Sequence, residues 1–416
     1  MPYNFPLMWR LLVKSIFRSN KTIAPLKMKR LKFLIIFLII WPPFQLITWF
    51  FFFLDEILFP QYHQQPIDKP LFILGNFRSG STFLHRLMSR DTKMFTSMRT
   101  VDIFLMPSIT QRKIFKFFSK IDHIFGAPLN KAMKGVDGNS LGKVQIHKIS
   151  MFEPEEDENV LLHIWSTFFV SFMFPFLEDL PPFIKFDEEL ATLEKEKIMG
   201  FYRSCVQRHL YAHGGNVHFV SKSPASSAKI QSLMTTFPDA RILYLARNPL
   251  DMLPSTVSWL SYAWNMFSDT GHKYIYQQQV LDLAKYWYEY PIRILDENPS
   301  PNHIILNYDE LVRYPEEMIR KIYFNFGYHE SPGLKKIIKR AIEETRTYRS
   351  GHKYNYEQMG YSRELILNTY QEVFERFNFD RADLEQPTNS DLSAGAISRP
   401  KQSPPLFSAE GQLAND

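Results

Sequence analysis

The chain has 416 residues, 45% of them hydrophobic, enough to bury a large core as one elaborated α/β domain or as two domains. Its formal charge is +6, yet residues 1–54 hold eight Lys or Arg and no acid, so residues 55–416 together carry −2. The basic balance therefore belongs to an N-terminal arm and gives no reason to expect nucleic-acid binding by the main domain. The single cysteine, Cys205, excludes an intrachain disulfide and reads as a buried helical thiol.

Residues 1–32 read as a basic amphipathic arm. Leu7, Leu11, Leu12, Ile16 and Phe17 are interleaved with Arg10, Lys14 and Arg18, the pattern of a helix lying on an anionic membrane surface. Lys27, Lys29, Arg30 and Lys32 form a second basic cluster. Residues 33–54 then carry no charge. As a straight helix at ~1.5 Å per residue they would reach about 33 Å, enough for a hydrocarbon core of ~30 Å. Pro42-Pro43 leaves two geometries open: a kinked spanning helix, or a re-entrant hairpin that dips into one leaflet. Spanning would put the N-terminus in the cytoplasm and the main domain across the membrane, whereas a hairpin would keep both in the cytosol. The chain is thus expected to be membrane-anchored, single-pass or monotopic, with the side of the main domain open.

Residues 62–380 are expected to form that main domain. It opens with four consecutive apolar residues, Leu71-Phe72-Ile73-Leu74, the mark of a strand buried on both faces. A turn bounded by Gly75 and Gly80 follows, and Ser81-Thr82 open an amphipathic helix through Phe83, Leu84, Leu87 and Met88. Strand, glycine-bounded turn and helix start point free N–H groups at an anion. The spacing approaches the phosphate loop G-x-x-x-x-G-K-[ST], but Ser81 stands where the lysine would be and Arg78 lies inside the loop. Without that lysine a nucleoside triphosphatase loses its main contact to the terminal phosphates. The turn Arg78-Ser79-Gly80-Ser81-Thr82 resembles the 5′-phosphosulfate loop of sulfotransferases that use 3′-phosphoadenosine 5′-phosphosulfate (PAPS). The resemblance runs from about residue 70 to 361, and it is strongest to the membrane-associated branch of that family.

Further along, residues 101–120 read as a helix and 126–142 as loop. Glu153-Pro154-Glu155-Glu156-Asp157-Glu158 then leads into an apolar run over 160–176. These acids suit a helix start as a solvated cap, and they also resemble an acidic tract of the membrane-associated sulfotransferases. Phe168, Phe169, Phe172, Phe174 and Phe176 read mainly as core, with an acceptor wall as the alternative. A helix over 188–211 precedes a short strand over 217–220 that runs into Lys222. A helix over 225–237 and a buried strand over 240–246 follow, and that strand ends at Arg247. Helices over 276–298, 315–326 and 332–346 surround a fourth strand over 303–308. Strands alternating with helices predict an α/β, P-loop-like three-layer fold with a mostly parallel sheet. Ligands then bind beyond the carboxyl ends of its strands, where Arg78, Lys222 and Arg247 all fall. From residue 381 the Pro-, Ser- and Asn-rich tail reads as disordered.

The resemblance implies roles for these residues. Arg78, Ser79, Gly80, Ser81 and Thr82 would hold the 5′ end of PAPS. Arg247, Ser255 eight residues later, and the turn Arg349-Ser350-Gly351 would hold the 3′-phosphate. Ser350 replaces a lysine common in the soluble branch, leaving His352 or Lys353 to supply that charge. Lys222, with Arg78, would stabilise the leaving oxygen. The soluble enzymes carry a histidine two residues after that lysine, where this chain has Pro224. The base must come from elsewhere, and Glu156 and Asp157 are the leading candidates, because a carboxylate among like charges gains proton affinity. His85 and His147 are weaker ones. The expected reaction is transfer of a sulfuryl group from PAPS to a hydroxyl or amine of a lipid-like or glycan acceptor, without a metal. A membrane-tethered module that binds a nucleotide without turnover is the alternative.

Overall fold

The computed structural model describes residues 1–124, 150–347, 356–379 and 381. The loop expected over 126–142, His147, the turn Arg349-Ser350-Gly351 with its neighbours His352 and Lys353, and the tail beyond Arg381 lie outside the described residues.

Five strands, β1 (Leu71–Gly75), β2 (Phe95–Thr96), β3 (His218–Lys222), β4 (Arg241–Ala246) and β5 (His303–Asn307), form one sheet in the order β2-β3-β1-β4-β5. Every neighbouring pair is parallel. Only β2 is absent from the sequence reading; two residues are too few to show a period. From β1 the chain runs to β2 and returns through β3 on one side, then crosses over to β4 and β5 on the other, so the crevice at the carboxyl end of β1 is the topological switch point.

Side chains of a strand alternate between faces, and β1 feeds two cores in this way. Leu71 and Ile73 pack with Phe83, Leu84 and Leu87 of α3 (Ser81–Arg90). Phe72 and Leu74 join a larger cluster on the other face. β4 repeats the pattern, with Leu243 and Leu245 on the first face and Ile242 and Tyr244 on the second. The result is the expected three-layer α/β architecture.

Several helices differ from their expected bounds for identifiable reasons. The helix expected over 101–120 is two, α4 (Thr100–Phe104) and α5 (Ile109–Ile124), with Pro107 between them. The run over 160–176 is not one helix. A 3-10 helix, Asp157–Ile164, ends where Trp165 turns left-handed at φ 55, and a single helical turn, Val170–Met173, follows. Phe168, Phe169, Phe174 and Phe176 are all buried in the core. The remaining long helices are α6 (Thr192–His213), α7 (Pro249–Met266), α8 (Gln277–Glu297), α9 (Pro315–Phe326) and α10 (Leu334–Thr347). Cys205 is buried in α6, and burial pushes its thiol up to about 12.

The N-terminal arm is part of the folded body. α1 (Phe5–Phe17) turns Leu7, Leu11 and Leu12 into the larger core, contrary to the expectation that this face meets a membrane. α2 (Met28–Leu58) is one continuous helix of 31 residues, not a hairpin; Pro42-Pro43 sits inside it. It is long and apolar enough to cross a membrane. Arg30, Leu34, Phe37, Gln45, Thr48, Phe52 and Asp55 are its buried residues, and with the partly buried Trp41 between Phe37 and Gln45 they follow at intervals of three and four as one stripe against the domain.

Candidate active site

The loop between β1 and α3 is shaped by two glycines. At Gly75, φ is +141, and a Cβ would come within 2.5 Å of the Leu245 carbonyl. At Gly80, φ is +90, and a Cβ would run into the Tyr308 ring. Only glycine suits both demands. Gly80 is also the N-cap of α3 and offers no side chain to its N–H groups, which stay directed at the crevice. The Ser79 hydroxyl is buried without a hydrogen-bond partner among the described residues. Ser81 is buried and Thr82 half-buried at the helix start. Ser227 Oγ lies 3.2 Å from both N and O of Gly75 and fixes the loop from below.

Arg78 has a left-handed backbone, φ 63, which costs a non-glycine residue on the order of 1 kcal/mol. Its Nε donates to Ser255 Oγ at 2.9 Å. Arg247 Nη1 donates to the Arg78 carbonyl at 2.8 Å, and its guanidinium lies 4.6 Å from the centroid of the Tyr308 ring. Tyr288 OH donates to the Arg247 carbonyl. Arg247 and Ser255, expected as a pair from their spacing, are therefore joined through Arg78. A phosphate suits this set: two guanidiniums, an unclaimed hydroxyl, an uncapped helix start and a glycine cradle.

The acidic tract supplies the other half of the site. A 3-10 helix turns three residues per cycle, so successive side chains point in different directions, and the three acids have three fates. Glu156, the N-cap residue, meets Lys222 Nζ at 2.6 Å. The lysine side chain is 2% exposed and the glutamate 14%, so solvent reaches the pair from the carboxylate side. Asp157 is buried: Oδ1 accepts from the Lys222 N–H at 3.1 Å, and Oδ2 accepts from Ser221 Oγ at 3.0 Å and from Tyr202 OH. Glu158 accepts from Lys229 Nζ at 2.6 Å, Thr167 Oγ1 at 2.9 Å and Ser223 Oγ at 2.8 Å, with both charged groups 2% exposed. The tract is no solvated cap.

Burial raises the Asp157 carboxyl from its ordinary 3.8 to about 6. The cause is desolvation, not the neighbouring acids. With both oxygens engaged inside the protein, Asp157 is the more enclosed of the two candidate bases, and Glu156 is the one solvent reaches. His85, inside α3, is pushed down to about 3 by burial and by the charge of Lys222. It is neutral at physiological pH.

Tyr202, Ser221, Tyr288, Tyr308 and Ser227 are missing from the sequence reading. Ser221 and Tyr308 could have been found, because each stands at the carboxyl end of a sheet strand. Tyr202 lies mid-helix in α6, with nothing local to mark it.

Residues 70–331 match the sulfotransferase family. The chain belongs to that family and is an enzyme of the PAPS-dependent class. Among curated proteins it is 23% identical over 336 residues to the omega-hydroxy-beta-dihydromenaquinone-9 sulfotransferase Stf3 of Mycobacterium bovis, covering 76% of each chain. The protein of that name from Mycobacterium tuberculosis matches equally. Among solved structures, sulfotransferase STF9 from Mycobacterium avium superposes with a TM-score of 0.64 at 16% identity, covering 78% of this chain and 81% of that one. STF1 from Mycobacterium tuberculosis gives 0.62 at 15% identity over 89% and 93%. At these identities the two structures show a shared fold.

Proposed function

We propose that the chain transfers the sulfuryl group of PAPS to a hydroxyl of a lipid-like acceptor at a membrane, with Lys222 and Glu156 as its catalytic residues. The observation that carries this is their contact of 2.6 Å at the carboxyl end of β3, beside the glycine loop. The Mycobacterium bovis relative, named for a menaquinone-derived acceptor, supports the lipid class, and the apolar α2 supports membrane attachment.

PAPS supplies a sulfuryl group already activated on its 5′-phosphate. The protein binds, orients and moves one proton. Arg78, Ser79, Gly80, Ser81 and Thr82 hold the 5′ end, with N–H groups, hydroxyls and a cation. Arg247 and Ser255, with Arg349-Ser350-Gly351, hold the 3′-phosphate. Glu156 takes the proton of the acceptor hydroxyl as its oxygen bonds to sulfur. Lys222 stabilises the charge left on the 5′-phosphate oxygen as the old S–O bond breaks. Asp157 is a positioning residue that fixes the Lys222 backbone. In the unliganded pair each charge satisfies the other. A shift of the ammonium toward the leaving oxygen releases the Glu156 carboxylate to act as base, so base activation follows co-substrate binding.

The test is calorimetry with 3′-phosphoadenosine 5′-phosphate (PAP) and turnover on the full-length chain in detergent. Lys222→Ala and Glu156→Gln are expected to bind PAP nearly as wild type while turnover falls by about 10²-fold or more. Arg247→Ala is expected to lose about tenfold or more in PAP affinity, the worth of a charge-assisted hydrogen bond. Turnover retained by Lys222→Ala, or binding of ATP with magnesium but not of PAP, would overturn the assignment.

A further inference from the structure

We infer that α2 does not span a bilayer but lies along it. Together with α1 and α5 it forms a monotopic docking face on an anionic leaflet, and the acceptor reaches the active site from that same leaflet. This takes up the membrane attachment proposed above and does not depend on the roles of Lys222 and Glu156.

A helix of 31 residues at ~1.5 Å per residue is about 46 Å long, and α2 is held by the domain along that whole length. At its start, Arg30 Nη1 donates to the Met173 carbonyl at 2.6 Å. Phe37 packs edge-on against Phe174 at 5.3 Å. In the middle, Gln45 Nε2 donates to the His163 carbonyl at 3.0 Å. At its end, Asp55 accepts from the Ile109 and Thr110 N–H groups at 2.8 Å and from Arg208 Nε at 3.1 Å. In a spanning helix the middle meets lipid or other membrane helices. Here the middle meets the sulfotransferase domain, which would have to enter the bilayer with it.

The side of α2 turned away from the domain is exposed and apolar, with Ile39 67%, Leu46 62%, Phe50 55% and Phe53 60% exposed. α1 adds exposed Phe5, Trp9 and Phe17, and α5, capped by Asp55, adds Phe117 and Phe118. Such a surface exceeds what a protein normally leaves to water. Its charge pattern selects the occupant. Lys29 and Lys32 stand in the first turns of α2, with Lys27 at its N-cap paired to Asp269 at 3.2 Å, and Lys113, Lys116 and Lys120 lie on α5, whose first N–H groups bond Asp55 near the end of α2; all six lysines are exposed. Two copies paired through this face would set lysines against lysines whether α2 ran parallel or antiparallel. An anionic leaflet complements both ends.

The same geometry links the membrane to the chemistry. The 3-10 helix Asp157–Ile164 begins beside Glu156, on Lys222, and its His163 carbonyl receives Gln45 of α2. Eight residues at ~2.0 Å each cover about 16 Å. An amphiphile resting in the leaflet with its hydroxyl in the headgroup layer is the acceptor this distance serves.

The experiment uses the full chain on vesicles of phosphatidylcholine with and without phosphatidylglycerol. Single cysteines replacing Ile35, Leu46 and Phe53 in a Cys205→Ser background carry a fluorophore quenched by depth-graded lipids. Equal, shallow depths at all three, with tighter binding to the anionic vesicles, are expected. A deepest point at residue 46 with shallow flanks would establish a span and overturn the inference. The double variant Ile39→Glu, Phe50→Glu is expected to lose about tenfold or more in vesicle partitioning while keeping wild-type PAP affinity in detergent. Unchanged partitioning, or a lipid-free dimer dispersed by this variant together with no vesicle binding by wild type, would also overturn it. Loss of PAP binding by wild type would instead count against the proposed function and leave the docking face standing.

Discussion

Asp157 is a carboxylate enclosed by the protein that is stabilised by two hydroxyls and one amide N–H, with no cation bonded to it among the described residues. Its proton affinity is raised in the folded state, from 3.8 to about 6. The sign of the linkage follows. Between those values the folded chain holds a proton that the unfolded chain has released, so stability falls as pH rises through that window. Asp157→Asn has no proton to lose there. The stability difference between wild type and this variant is expected to shift in the variant's favour from about pH 4 to about pH 6, by up to ~1.4 kcal/mol per pH unit. Urea unfolding at several pH values measures it, and a difference independent of pH would mean that Asp157 titrates as an ordinary carboxyl. Much at this scale was legible in advance. The glycines, Arg78, Lys222 and Arg247 each sit in a local pattern, a buried strand running into a turn. Tyr202 was not, because a tyrosine in a helix carries no sign of the carboxylate that folding brings to it.

Among the elements, α2 shows how composition can suggest one environment and packing another. Its end is fastened by Asp55, fully buried, and by Arg208, whose side chain is 4% exposed. Glu56 Oε1 meets the same guanidinium at 2.5 Å. Asp55→Asn would point an amide donor at N–H groups of α5 and remove a buried charge from Arg208. Breaking a buried pair from one side costs on the order of 3–5 kcal/mol. Thermal unfolding is expected to show a loss of that order, and a cost below about 1 kcal/mol would mean that α2 is only loosely docked. The stripe of buried positions on α2 was present in the sequence at helical spacing. It was hidden because its charged members, Arg30 and Asp55, flank the uncharged run, while Gln45 and Thr48 inside it are outnumbered by the exposed apolar residues around them.

For the whole molecule, the consequence is that the arm is not a removable tether. Leu7, Leu11, Leu34, Phe37 and Phe52 belong to the core cluster that contains Trp165, Phe174 and Phe201. A chain beginning at Gln61 would expose those aromatics and leave Arg208 without Asp55 and Glu56. Truncation there is expected to abolish cooperative thermal unfolding and PAP binding together, whereas the full chain in detergent shows both. A truncated chain that unfolds cooperatively and binds PAP at full strength would show that the domain is complete without the arm.

The sequence by itself determined the three-layer α/β class, the cationic residues at the carboxyl edge of the sheet, and the presence of a long apolar helix behind a basic flank. These are local properties: a strand buried on both faces must be apolar throughout, a left-handed turn needs glycine, and a helix buried or in lipid cannot carry free charge. The tertiary structure decided which carboxylate meets Lys222, since Glu156, Asp157 and Glu158 are neighbours in the chain yet point to three different partners. It also decided that α2 packs along the domain. Both outcomes depend on residues more than fifty positions away, brought near only when the sheet order is fixed and the 3-10 helix runs between site and arm.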